Sequence, residues 1–371
     1  MLLLALGVVA CGHGVLYQPW SAATGAGWSQ HAADARGTGL LLAGAEPPLQ
    51  LRWQQRIGKP PLGSPLIAGP LLLQWSKAPD LLAFDVASGT RLGKYGSDDP
   101  VCGPSAIAGV DHHLLLASVL GKPSQLRAID LRSGEVTWQQ DGSLCAAVVV
   151  RGDTVYAAFE SGNMQAFDAA QGQPLWTLAL TAPLVSAPSI AGDRLYVADG
   201  TGELVAARID SGHVLWRRSL GTPLRTRPAV DVAGGRVLAA VDGRLHALSA
   251  ATGAELWHAD FGGLPSVGLY VSDHVVAVGS TDHRLYAFDP ATGRRLWIFD
   301  TGGIVRAAPV GTEQTIYFGA SDAWLHAVDV SDGSSRWRQQ LDGPVLVGAA
   351  LTAQTLAVTT ERGTTYVFGK P

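Results

Sequence analysis

Seven times between Ala83 and Trp337 the chain places an alanine, then a glycine six residues on. In six of those copies a tryptophan follows four residues after the glycine. The alanines are Ala83, Ala128, Ala166, Ala206, Ala247, Ala287 and Ala327, about 40 residues apart, a period that marks a repeat architecture before any local structure is read. The tryptophans are Trp138, Trp176, Trp216, Trp257, Trp297 and Trp337, with Gly93 in the first copy. Trp53 lies one period ahead of Gly93, and the chain closes on half a repeat, "TTYVFGKP".

Each period reads as strands. Between Trp257 and Trp297 the runs "SVGLYVSD", "HVVAVGSTD", "HRLYAFDPATG" and "RRLWIFD" are short, β-rich and separated by turn residues. In Asp289-Pro290-Ala291-Thr292-Gly293 the Asp and Pro start a turn, and Gly accepts the positive φ that sends the next strand back antiparallel. Four antiparallel strands per period, repeated around a ring, predict an all-β propeller. The Trp is expected on the outer strand, packing on the neighbouring blade, with Ala leaving room. The strand around Trp53 is expected to pair with the one ending at Phe368, so both termini share one blade and leave no bare edge there. That gives eight blades, or seven if Trp53 is not on a blade strand.

The rest of the composition narrows the class. Hydrophobic residues make up 47% of the 371 and charged residues 16%, which describes an ordered globular chain. A net charge of −4 with scattered Lys and Arg offers no footprint for nucleic acid. The opening "MLLLALGVVAC" is too short an apolar run to span a bilayer but suits a secretory signal. Small residues before Cys11 resemble a bacterial lipobox, which would make Cys11 a lipidated first residue, although no Lys or Arg precedes Leu2. The expected organisation is a signal segment over 1–11, a tether and lead-in over 12–50, and one propeller over 51–371.

Few residues stand out as chemistry. Asp242, Asp282 and Asp322 recur one period apart, and Asp85, Asp130, Asp168, Asp289 and Asp329 follow the docking alanine by two. A carboxylate repeated in blade after blade is turn chemistry, since a single active site needs it once. His246 and His326 occupy the place of Tyr286 in their repeats, and no metal-ligand spacing, nucleophile elbow or phosphate loop appears. No catalytic, cofactor or metal residue is therefore assigned. Cys102 and Cys145 begin the inner strands of successive repeats, where they either bridge or stay as two buried thiols. Arg225, Arg227 and Arg306 interrupt positions that are mostly small elsewhere. They are candidates to contact a partner or an anion at the channel mouth, or they extend into solvent.

The Ala/Gly/Trp pattern resembles the tryptophan-docking motif of the pyrroloquinoline-quinone-like propeller repeat over 51–368, and "WSQHAADARGTG" at 28–39 looks like the lead-in before such propellers. Two branches of that family bear on function. The quinoprotein dehydrogenases hold their quinone on a pair of adjacent cysteines beside calcium, and this chain has no adjacent cysteines. The BamB-type outer-membrane assembly lipoproteins are non-enzymatic, with short-looped blades behind a lipidated Cys, a position that Cys11 matches. That resemblance implies a monomeric, lipid-anchored envelope protein on the periplasmic side of the outer membrane, whose partner is the barrel-assembly machinery. The chain departs from that branch in "TAPLVSAPSI" and "GTPLRTRPAV", which carry no acidic residue, so no partner-binding residue is carried over. A quinoprotein-like enzyme and a propeller binding a small ligand in its channel are the alternatives.

Overall fold

Runs of four to six apolar residues broken by turns can only be buried as short strands stacked face to face, and that is how the repeats fold. The computed structural model describes residues 28–30, 34–108, 114–144, 148–184 and 186–371. Within them lie eight separate four-stranded antiparallel sheets and no helix. Blades one to seven each take four consecutive strands, at 66–96, 101–141, 149–179, 189–219, 229–260, 270–300 and 310–340. In blade six these are Tyr270–Val271, Val276–Gly279, Arg284–Phe288 and Arg295–Asp300, running from the channel outward. The first three are buried throughout except for Arg284, because both faces meet neighbouring blades; only the fourth is open to solvent.

Blade eight is shared by the two ends of the chain. Ala350–Leu351, Thr355–Thr359 and Thr364–Gly369 are joined by Gln50–Arg56 as the outer strand. Leu51 faces Phe368 and Trp53 faces Val367. The expected closure is present, and the blade count is eight.

The repeat's three fixed residues meet at one contact. In blades two to seven the Trp lies directly across the ladder from the Ala of its own blade, as in Ala287 opposite Trp297, and a bulge follows at the next residue. The ring then covers the turn between third and fourth strands of the next blade. Trp257 Nε1 donates to the Pro290 carbonyl at 3.1 Å, and Trp53, Trp138, Trp176, Trp216 and Trp297 donate to the matching carbonyls at 2.8–3.1 Å. Gly293 is held there for two reasons. Its φ is +72°, and a Cβ would lie 2.5 Å from the Trp257 ring. The aspartate beside it does the turn work expected of it, since Asp289 Oδ1 accepts the N–H groups of Ala291 and Thr292 at 2.9 and 2.8 Å.

A second left-handed position precedes the third strand in most blades. Gly162, Gly202 and Gly363 hold it at φ +87°, +85° and +73°, whereas His283 and Ala323 hold it at +72° and +66°. Left-handed backbone costs a non-glycine residue about 1–2 kcal/mol, partly offset by the greater chain entropy a glycine loses. Ala323→Gly is therefore expected to stabilise the protein by about 0.5–1 kcal/mol. Gly293→Ala is expected to cost at least about 2 kcal/mol by overpacking and strain together. Urea denaturation of the two variants beside wild type checks both signs.

A cationic cavity on the loop face

Antiparallel blades sort their connections onto two faces. The third-to-fourth turns that receive the tryptophans lie on one. The opposite face carries the turns between second and third strands and the loops that lead into each innermost strand. On this loop face, the segments leading into blades five, six and seven are tied side by side by main-chain hydrogen bonds. Arg227 N–H donates to the Val267 carbonyl at 3.1 Å and Val267 N–H to the Arg306 carbonyl at 3.2 Å. Thr226 Oγ1 adds a bond to the Ser266 carbonyl at 2.9 Å.

These loops and the Asp242 turn enclose an open cavity of about 530 Å³. Arg225 and Arg306 both line it and are exposed. Among the described residues neither guanidinium has an ion-pair or hydrogen-bond partner. Leu264 and Val267 line the same cavity and leave 56% and 46% of their surface in solvent. Two unpaired planar cations beside two exposed apolar side chains suit a protein segment carrying carboxylates and an apolar anchor. Asp242 is the one acidic residue among the lining residues, and its own φ of +45° marks it as part of the turn.

Arg227 does not join this surface, and here the structure corrects the sequence expectation. Its residue is 2% exposed and turned inward. Nε donates to the Pro188 carbonyl at 3.1 Å and to Ser189 Oγ at 3.0 Å, while Nη2 donates to the carbonyls of Asp34 and Ala35 at 3.2 and 2.9 Å. Burial pulls its guanidinium down to about 10, partly opposed by the Asp34 carboxylate, so it still carries its charge at neutral pH. Nothing in the spacing of "LRTRP" separates the two arginines, because the carbonyls that draw Arg227 inward come from the lead-in, about 190 residues away in sequence.

The other candidates are placed as follows. The tryptophans dock between blades, except that Trp337 meets Phe368 edge-on at 5.4 Å. Cys102 is disulfide-bonded, while Cys145, the partner the sequence offers, and Cys11 both lie outside the described residues. His246 shares Glu255 with His258 at 3.0 Å each, and His326 stacks on Phe318 at 5.1 Å. Burial pushes His326 below the ordinary imidazole value, with Asp322 opposing. Among the described residues no three His, Cys, Asp or Glu side chains group as metal ligands. Leu264 and Val267 were not singled out in the sequence. No break in the pattern marks them, because blade seven carries Ile304 at the place of Leu264 and the loop before blade eight carries Val345-Leu346-Val347.

Eight closed four-stranded blades with tryptophan docks define a pyrroloquinoline-quinone-like repeat propeller. A sequence profile described as "Outer membrane protein assembly factor BamB" matches residues 122–260 and 241–370, and the chain belongs to that family. No curated protein sequence matches it. Among solved structures, BamB from Moraxella catarrhalis superposes with a TM-score of 0.72 at 19% identity, covering 87% of this chain and 100% of that one. The quinohemoprotein alcohol dehydrogenase from Comamonas testosteroni gives 0.77 at 13% identity, over 94% of this chain and 82% of that one. A computationally designed protein, Ika8, gives 0.75 at 14%, over 85% and 98%. At such identities these likenesses establish the fold alone.

The two neighbouring arginines are expected to separate cleanly in stability. Arg227→Met, which removes four hydrogen bonds made by a buried cation, is expected to cost about 3 kcal/mol, and Arg225→Met to stay within about 0.5 kcal/mol. Chemical denaturation of each variant makes the comparison.

Proposed function

We propose that the protein is a non-enzymatic scaffold that binds protein partners in the bacterial cell envelope and serves in outer-membrane β-barrel assembly. It would work as a monomer on the periplasmic side of the outer membrane, anchored through a lipid on Cys11. Family membership supports the setting. The observation that carries the binding role is the cavity where Arg225 and Arg306 stand without partners beside Leu264 and Val267.

The second reading, a quinoprotein-like enzyme, is favoured only by fold likeness to a quinohemoprotein dehydrogenase. The residues present do not fit that chemistry. The chain has no adjacent cysteines to hold a quinone. Calcium wants six to eight oxygen ligands, and no such acidic group forms among the described residues.

A crosslinked pull-down of the full chain from native membranes, read by mass spectrometry, tests the proposal. Wild type is expected to recover the central barrel-assembly protein. Arg225→Glu with Arg306→Glu is expected to lower that recovery at least about tenfold, as loss of paired interface charges does. Undiminished recovery with the double variant would remove the cavity from the binding face. Failure to recover the assembly protein, together with saturable binding of quinone and calcium, would move the assignment to the enzyme.

A further inference from the structure

The innermost strand of each blade lies at the edge of its sheet, with backbone groups facing the channel and no neighbouring strand to meet them. In this chain the lead-in meets them. The Trp28 carbonyl accepts from Ile67 N–H of blade one at 2.9 Å, and the Ser29 carbonyl from Ile107 of blade two at 2.8 Å. The Gln30 side-chain amide stands in for a strand in blade three, accepting from Val150 N–H at 3.0 Å and donating to its carbonyl at 3.3 Å. Ala35 accepts from Ile190 of blade four at 2.7 Å, Arg36 from Val230 of blade five at 3.1 Å, and Thr38 from Val271 of blade six at 2.8 Å. Gly39 accepts from Gly311 of blade seven at 2.8 Å, and Ala45 N–H donates to Thr352 of blade eight at 2.9 Å. The segment visits the eight blades in order, once around.

Its path leaves no room for chance packing. A Cβ on Gly39 would lie 2.6 Å from the Pro309 carbonyl oxygen, and one on Gly37 2.8 Å from Ser189 Oγ. Two side-chain locks hold it. Arg227 grips the carbonyls of Asp34 and Ala35 from blade five. At the far end the Glu46 carboxylate accepts from Thr312 Oγ1 and Thr315 Oγ1 of blade seven and from Arg336 at 3.3 Å, while Tyr317 donates its hydroxyl to the Ala45 carbonyl at 2.6 Å.

We propose that residues 28–30 and 34–46 form an internal belt: a lead-in segment, carried by the chain itself, that binds the channel-facing edge of all eight blades. It forms a second closure of the ring, separate from the pairing of Gln50–Arg56 with Thr364–Gly369. The belt occupies the channel-facing edges that a ligand in the channel would have to use, and its own residues Asp34, Arg36 and Leu40–Ala43 line a second open cavity of about 770 Å³.

Pro48 is exposed and lies between the belt and the outer strand of blade eight, so a protease site inserted after it severs the two without touching a belt contact. In the intact protein the amides of Ile190, Val230 and Val271 are expected to resist hydrogen exchange as well as amides inside the sheets. After cleavage the belt is expected to stay bound through gel filtration. Stripping it in mild denaturant and returning the ring to buffer is expected to lower Tm by several degrees and expose those three amides. Arg227→Met in the cleaved protein is expected to speed belt loss at least about tenfold, the factor for one or two bonds to a charged donor. Glu46→Gln reads the other lock if that variant does not fold. Rapid exchange at the three amides in the intact chain, or a stripped ring with unchanged Tm and protection, would overturn the proposal.

Discussion

Everything in this ring depends on a tryptophan ring lying against a glycine turn of the next blade. A blade alone has two apolar faces and no means of covering either, so its strands are stable only when stacked. The dock converts stacking into a fixed rotation, because the indole N–H must reach one particular carbonyl while its ring occupies the volume a Cβ would need. Two junctions lack the full contact, each for a local reason. Blade one offers Gly93 opposite Ala83, so its junction with blade two relies on a cluster that includes Tyr95, Ile129 and Leu131. Trp337 reaches blade eight, whose outer strand comes from the other end of the chain. The turn that would present a glycine does not exist there, and the ring settles on Phe368 instead.

That dependence explains what could be read in advance. A feature repeated seven times is visible in one sequence, and the docking residues, the turn aspartates and the shared last blade all follow from the period. Features that occur once are harder. Gln30 and Glu46 look like ordinary polar residues in a low-pattern segment, yet one substitutes for a strand and the other fastens the belt. Arg225 and Arg227 are indistinguishable as letters. Acceptors far away in sequence, the carbonyls of Pro188, Asp34 and Ala35 with Ser189 Oγ, turn one of them inward. The cavity is half legible: its two cations break the sequence pattern, while Leu264 and Val267 do not stand apart from the apolar residues Ile304, Val345 and Leu346 in neighbouring loops.

The same scaffold superposes on an assembly factor, a dehydrogenase and a designed ring with similar scores. Strands that repeat cannot encode a function that occurs once; the loops can. In this chain the loop irregularities gather where the segments entering blades five, six and seven run together, joined by the Thr226, Arg227 and Val267 bonds. The belt strengthens that division of labour. With the channel edges of the blades taken up by the chain itself, those edges are closed to a ligand, and the unpaired arginines stand on the loop face.

How the cavity would divide its work follows from exposure. Arg225 and Arg306 sit in water, where an ion pair contributes at most about 1 kcal/mol and is weakened by salt. Burying the open half of Leu264 or Val267 is worth about 1 kcal/mol each by area, without a desolvation cost to set against it. Affinity would then come mainly from the apolar pair, and the arginines would set approach rate, orientation and the exclusion of basic partners. Arg227 shows the contrast within the same loop. Its charge is fully desolvated and is tolerated because main-chain carbonyls and Ser189 surround it, and that places its contribution in the fold rather than at the surface.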